Sequence, residues 1–145
     1  MFEDKLKMEG FVTAELYEDG QIVHTTKQKN LIVDTGKNTI ARRIAYPYEA
    51  VINKISIGSG TEQPELSDTG LSVEKASYSI PYIEIKDNNV IVFISGFPEG
   101  VGDGPTRETG LFDSDDNLIC RTLFSTPFFK GSSQFLNIIW KLQIS

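Results

Sequence analysis

The chain is poor in the residues that carry chemistry. Its 145 residues include one cysteine, one histidine and one tryptophan. A single cysteine, Cys120, rules out an intrachain disulfide. It lies in the apolar run Leu118-Ile119-Cys120, which predicts a buried structural thiol rather than a nucleophile. One His and one Cys cannot supply the usual four nitrogen and sulfur ligands of a zinc site. Any Ser–His or Cys–His catalytic pair would have to use His24, which sits between Val23 and Thr25 in a strand-like stretch with no accompanying signature. No apolar run approaches the roughly 20 residues of a membrane helix, so no membrane partner is expected. The stretch Met1–Gly10 alternates acidic and basic residues and lacks the apolar segment of a signal peptide. Positive charge is also scarce: 14 basic against 20 acidic residues give a net charge of −6. That excludes a phosphate-neutralising face, and the pairs Lys27/Lys29 and Arg42/Arg43 are too small to reverse it, so no nucleic-acid partner is expected.

What the chain does have is alternation. Leu136, Ile138, Trp140, Leu142 and Ile144 alternate with Phe135, Asn137, Ile139, Lys141 and Gln143, the period of a strand with one buried face. This strand stops one residue short of the last, which predicts a terminus locked into a sheet with no tail beyond it. Phe11–Lys27 reads as a hairpin turning at Glu18-Asp19-Gly20, and Ile80–Ile94 as another turning at Asp87-Asn88-Asn89. A third runs from Glu108–Asp113 to Asn117–Phe124; it echoes the first closely enough to suggest similar hairpins, not a duplicated domain. Val51–Ile57 is a short strand. Leu71–Ser79 fits no single reading.

Between Asn30 and Tyr46 the period changes. Ile40, Ala41, Ile44 and Ala45 share one helical face, Asp34 or Thr35 can cap the start, and Pro47 stops the helix. Gly96–Thr106, with four glycines and two prolines, reads as a mobile loop, and Pro127–Gly131 as a turn. The predicted fold is therefore mainly β: an antiparallel β-sandwich or flattened barrel of about seven to nine strands with one α-helix near 35–46. Residues 1–145 form a single domain, with 1–10 as an N-terminal arm. Its core should hold Leu16, Ile40, Ile44, Ile55, Ile57, Ile83, Ile85, Leu111, Leu118, Leu136, Ile138, Trp140 and Leu142.

The motifs that superficially suggest a ligand fail on inspection. Asp113-Ser114-Asp115-Asp116-Asn117 begins like a calcium loop, but the glycine and glutamate required later are Leu118 and Phe124. Gly58-Ser59-Gly60 follows a strand, yet acidic, proline-broken sequence follows it instead of a phosphate-binding helix. Glu84 and Glu108 are strand carboxylates with nothing to bring them together as a glycosidase pair. No cofactor, metal or catalytic residue is expected, and the chain is expected not to be an enzyme. Phe97, Pro98, Phe128 and Phe129, in or beside the loops, are the candidate interface residues; the aromatics either meet a partner protein or fold back over an open end of the sandwich.

Several segments, taken in order, resemble a family of small structural proteins of tailed bacteriophages, of the tail-fibre, baseplate or head-decoration type. They are Thr13–Gly20; Lys29–Asn38 leading into the helix; Ile55–Thr61; Pro64–Leu71; Glu108–Phe112; Cys120–Phe124; and the last strand through Trp140. The resemblance covers most of the chain from about residue 10. It implies a non-enzymatic virion component, made and assembled in the host cytoplasm, that packs with other virion proteins in a symmetric homo-oligomer, a trimer by family analogy. It carries no catalytic residues and does not choose between head and tail. The alternative is a carbohydrate-binding β-sandwich acting in host-surface recognition, although Trp140 lies on the apolar face of its strand rather than on an open platform.

Overall fold

The computed structural model describes residues 5–145; residues 1–4 of the predicted arm lie outside the described residues. Ten strands and one helix follow in the order β1 (Met8–Glu18), β2 (Gln21–Lys29), β3 (Leu31–Ile32), α1 (Asp34–Ala45), β4 (Ile52–Gly58), β5 (Glu74–Ser79), β6 (Tyr82–Lys86), β7 (Val90–Phe97), β8 (Gly104–Asp113), β9 (Leu118–Lys130) and β10 (Phe135–Ile144). They make two antiparallel five-stranded sheets, β2-β1-β10-β7-β6 and β3-β9-β8-β4-β5, called A and B below. The sheets stay open, so the fold is a sandwich, not a barrel. The strand beyond the predicted range is β3, two residues too short to show any period.

Each hairpin turns where acidic residues, asparagine or glycine permit a left-handed backbone. Asp19 and Gly20 have φ of 50° and 78°, and Asp87 and Asn88 have φ of 52° and 65°. Positive φ at two successive residues suits the twist of a tight hairpin; Glu18 pairs with Gln21 across two residues, and Lys86 with Val90 across three. β10 lies at the centre of sheet A, paired with β1 from Met8–Ile144 to Tyr17–Phe135 and with β7 on its other side. The predicted arm is thus strand from Met8 onward. Just before it, the Lys7 and Ser145 backbones exchange hydrogen bonds of 2.7 and 2.8 Å.

The core fills the space between the sheets. Leu136, Ile138, Trp140 and Leu142 of β10, Val12, Ala14 and Leu16 of β1, and Phe93 and Phe97 of β7 face Ile55, Ile57, Leu111 and Phe124 of sheet B. Trp140 is fully buried, and its indole N–H donates to Asn30 Oδ1 at 2.8 Å, which satisfies the one polar group it carries inward. Leu118 is buried too, but with Val33, Phe112 and Leu71 in a second, smaller cluster.

Three predicted core residues are not core. Ile44 is 80% exposed, Ile83 50% and Ile85 68%. α1 meets β9 through its first half: a Cβ on Gly36 would lie 2.1 Å from Ile119 O, and Thr39 is buried. Its second half runs past the sheet, so Ile40 is only partly covered and Ile44 not at all. Ile83 and Ile85 do point to the core side of sheet A, opposite Phe93 and Ile91, but they sit on an edge strand that sheet B does not reach. The capping expectation also needs correction. Val33 is the N-cap and makes no side-chain cap. Thr35 Oγ1 instead donates to Leu118 O at 2.7 Å, and the Asp34 N–H donates to Leu66 O at 2.9 Å. Tertiary partners do the work a cap would do.

Candidate functional site

The two segments expected to be loops behave differently. Pro127–Gly131 is not a turn: β9 continues through Pro127 to Lys130, its pairing with β8 broken between Leu123 and Phe128, and the reversal comes at Gly131–Gln134, where Gln134 N–H donates to Gly131 O at 3.1 Å. A proline fits there because β3 pairs with β9 only at Cys120 and Arg121, so beyond them one edge of β9 needs no ladder donor. The glycine-rich loop shortens to residues 98–103 and is tied down. The Lys130 ammonium, fully buried, donates to Pro98 O at 3.0 Å and Asp103 Oδ1 at 2.9 Å, and Gly100 N–H donates to Ser132 O at 3.1 Å.

Of the four predicted interface residues, Phe97 is buried in the core, edge-on to Tyr78 with ring centroids 5.6 Å apart. It faces inward because it ends β7 in register with Leu136, a position hidden by the Gly96 and Pro98 that flank it. Pro98 is half-buried beside the Lys130 ammonium. Phe128 is half-buried between Phe124 and His24, with centroids at 5.6 and 5.2 Å. Phe129 is 66% exposed. With Pro105, Arg107, Pro127 and Phe128 it lines a shallow surface hollow. The structure therefore brings Phe128 and Phe129 together on one surface and removes Phe97 from it.

Beside this surface, β5 bulges at Lys75 and aims its ammonium at Gly104 O (3.1 Å), Pro105 O (2.7 Å) and Thr106 Oγ1 (2.9 Å). Burial, reinforced by the neighbouring Lys130 charge, lowers its pKa to about 8. The Lys75 ammonium thus pins the carbonyls on the Pro105 side of the hollow, while Lys130 fastens the loop that precedes them.

The strongest polar constellation was not read from the sequence. Glu108 of β8 and Arg121 of β9 are buried, and the long segment 59–73 closes over them. Glu108 Oε2 accepts the Gly60 and Val73 N–H groups at 2.6 and 2.9 Å; Oε1 accepts the Ser72 N–H at 2.8 Å and Arg121 at 3.1 Å. Arg121 also donates to Glu62 O (2.7 Å), Asp68 Oδ2 (2.7 Å) and Ser72 Oγ (2.8 Å). Burial by itself would raise the Glu108 carboxyl, but three backbone donors and the guanidinium outweigh it and the pKa falls. Gly58-Ser59-Gly60 does cradle an anion, then: the protein's own Glu108. A Cβ at Gly60 would stand 2.3 Å from its carboxylate. The available signal was one charged residue in each of two otherwise neutral motifs: Glu108 opens Glu108–Phe112, and Arg121 is the second residue of Cys120–Phe124.

The turn that begins like a calcium loop is held by its own first residue. Asp113 is buried; its Oδ1 accepts the Asp115 and Asn117 N–H groups and its Oδ2 the Asn117 amide, each at 2.9 Å, so it fastens the β8–β9 turn. Glu84 lies on β6 of sheet A, while Glu108 is sealed on sheet B. Burial pushes the Cys120 thiol far above its ordinary range, away from the reactive thiolate.

A rigid β-sandwich whose buried charges fasten its own loops, with an aromatic surface left open, is the physical description of a structural building block. The family model for phage tail-collar fibre protein, N-terminal, matches residues 25–123, more than half of the chain. The chain belongs to this family, and with it to the structural proteins of the tailed-phage virion. The matched span holds the entire Glu108–Arg121 fastening, while β1 and β10 fall outside it. No curated protein and no solved structure matches the chain.

Proposed function

We propose that the chain is a non-enzymatic packing module of the tail fibre, acting as one domain that joins other virion proteins through the surface of Phe129, Phe128, Pro105 and Pro127. The observation that carries this reading is Phe129: a large ring left two-thirds exposed on a rigid strand, with a proline on either side of it in space. Aromatic side chains on rigid elements lose little entropy on docking and are common interface anchors. A trimer, the form implied by family resemblance, needs a heterologous contact, and this surface supplies one half of it. Synthesis and assembly in the host cytoplasm, without a cofactor, belong to the same reading. The tail is preferred over a baseplate or capsid-coat position because the family match is to a tail-collar fibre. The carbohydrate-binding alternative is disfavoured by the burial of Trp140, and binding on a glycan array would restore it.

A symmetric reconstruction of the assembled particle tests the proposal. The domain should lie in the tail with Phe129 against another polypeptide. Density on the head, or Phe129 facing solvent, would overturn it.

A further inference from the structure

One end of sheet A carries a second hollow, separate from the Phe129 surface. It opens on the face turned away from the core, where the β1–β2 turn, the loop 98–103 and the start of β10 converge. Its volume is about 420 Å³, and Tyr17, Asp19, Glu99, Ser133, Phe135 and Asn137 are among the residues that line it. Tyr17 and Phe135 stand opposite each other in the β1–β10 register, and their rings meet edge to face with centroids 6.1 Å apart. Phe135 lies over Gly96, where a Cβ would stand 2.3 Å from its ring. Glu15 Oε1 accepts the Tyr17 hydroxyl and the Asn137 amide, each at 3.4 Å. The acidic walls are placed as firmly. Asp19 occupies the left-handed turn position at φ 50°. Glu99 has fastened backbone on either side: Pro98 O accepts the Lys130 ammonium at 3.0 Å, and Gly100 N–H donates to Ser132 O at 3.1 Å.

The charge of this hollow is one-sided. Asp19 and Glu99 are exposed, and neither carboxylate makes a hydrogen bond or an ion pair among the described residues. No Lys, Arg or His is among the residues that line the hollow. Aromatic rings carry a negative face, so two rings beside unpaired carboxylates attract a cation twice over. We infer that this hollow receives an arginine side chain from another polypeptide of the virion. A guanidinium is planar and stacks on a ring, and its forked donors reach carboxylates at the same time. An ammonium is a compact, strongly hydrated charge that cannot stack. Side chains held in place before binding lose little freedom on contact, and arginine is among the residues enriched where protein interfaces are strongest. The contact lies on sheet A, whereas Phe129 projects from β9 of sheet B, so the two surfaces act independently.

NMR titration of the full chain with N-acetylarginine amide tests it. The Asn137 side-chain amide and Phe135 ring signals should shift and saturate. Asp19→Asn combined with Glu99→Gln should weaken that binding roughly tenfold, the loss of two exposed charge pairs. Its thermal midpoint should not change, because both residues are exposed and asparagine also tolerates the left-handed turn position. N-acetyllysine amide should bind several-fold more weakly than the arginine amide. In phage particles the doubly substituted chain should be poorly incorporated. Signals that do not move, or binding that survives the double substitution, would overturn the site. Equal binding of the two amides would overturn the choice of a guanidinium. Methyl glucoside moving these signals where the arginine amide does not would make the hollow a saccharide site instead. Normal incorporation of the doubly substituted chain would overturn the virion partner. Phe129→Ser should leave the titration unchanged, so the two contacts fail separately.

Discussion

Replacing Glu108 with glutamine should be among the most damaging single-atom changes available to this chain. The carboxylate accepts three backbone N–H groups and one guanidinium N–H at 2.6–3.1 Å. A carboxamide has one accepting oxygen, so its NH2 group must face donors. Arg121, fully buried, keeps only Asp68 as an anionic partner. Removing one member of a buried ion pair costs about 3–5 kcal/mol, because it leaves an uncompensated charge. For a domain of this size that is a fall in Tm of roughly 10–15 °C. Urea unfolding followed by Trp140 fluorescence measures it, and limited proteolysis should show cleavage within 59–73 before global unfolding. Adding Arg121→Met should recover part of the loss, since the orphaned charge goes with it. Acid separates the proteins further. The folded Glu108 pKa lies below its unfolded value of 4.5, so its stabilisation is fully present above about pH 4.5 and fades as the pH drops through the folded value. The gap between wild type and Glu108→Gln should therefore narrow in acid. A loss below about 1 kcal/mol, with segment 59–73 still protected, would refute the claim that this pair fastens the loop.

Other perturbations follow from the same contacts. Trp140→Ala should cost about 3–5 kcal/mol, as for large core truncations, and chemical denaturation checks it. Gly36→Val should lift α1 from β9, since even a Cβ there would stand 2.1 Å from Ile119 O; a lower Tm and weaker helical circular dichroism are expected. Lys75 titrates near pH 8 in the folded chain and near 10.5 in the unfolded one, so the unfolded chain binds more protons in that window; wild type should gain stability relative to Lys75→Met as the pH rises from about 8 to 10.5. Cys120 should resist a thiol reagent in the folded chain and react at once in denaturant, which a colorimetric thiol assay follows.

Alternation was enough to read the hairpins and the central strand β10, because a half-buried strand writes its two faces directly into sequence. It could not show how far the opposite sheet extends. Ile83 and Ile85 have the pattern of core residues and the correct face, yet lie beyond the edge of sheet B. Phe97 fails in the reverse sense: glycine and proline on either side disguise the last residue of a strand. Pro127 hid the second half of β9, since a proline is compatible with a strand only where one edge is free. The Glu108–Arg121 fastening was invisible for a different reason. Its partners, Gly60 to Val73, are remote in sequence, and only folding brings a glycine-rich segment onto a carboxylate.

The role assigned to the aromatic surface is tested most directly by Phe129→Ser, scored for incorporation into phage particles alongside the thermal midpoint of the purified protein. The side chain projects from β9 with two-thirds of its surface in solvent, so its loss should leave the fold intact. The expected result is an unchanged midpoint with incorporation strongly reduced. Normal incorporation at an unchanged midpoint would contradict the assignment and remove Phe129 from the assembly contact.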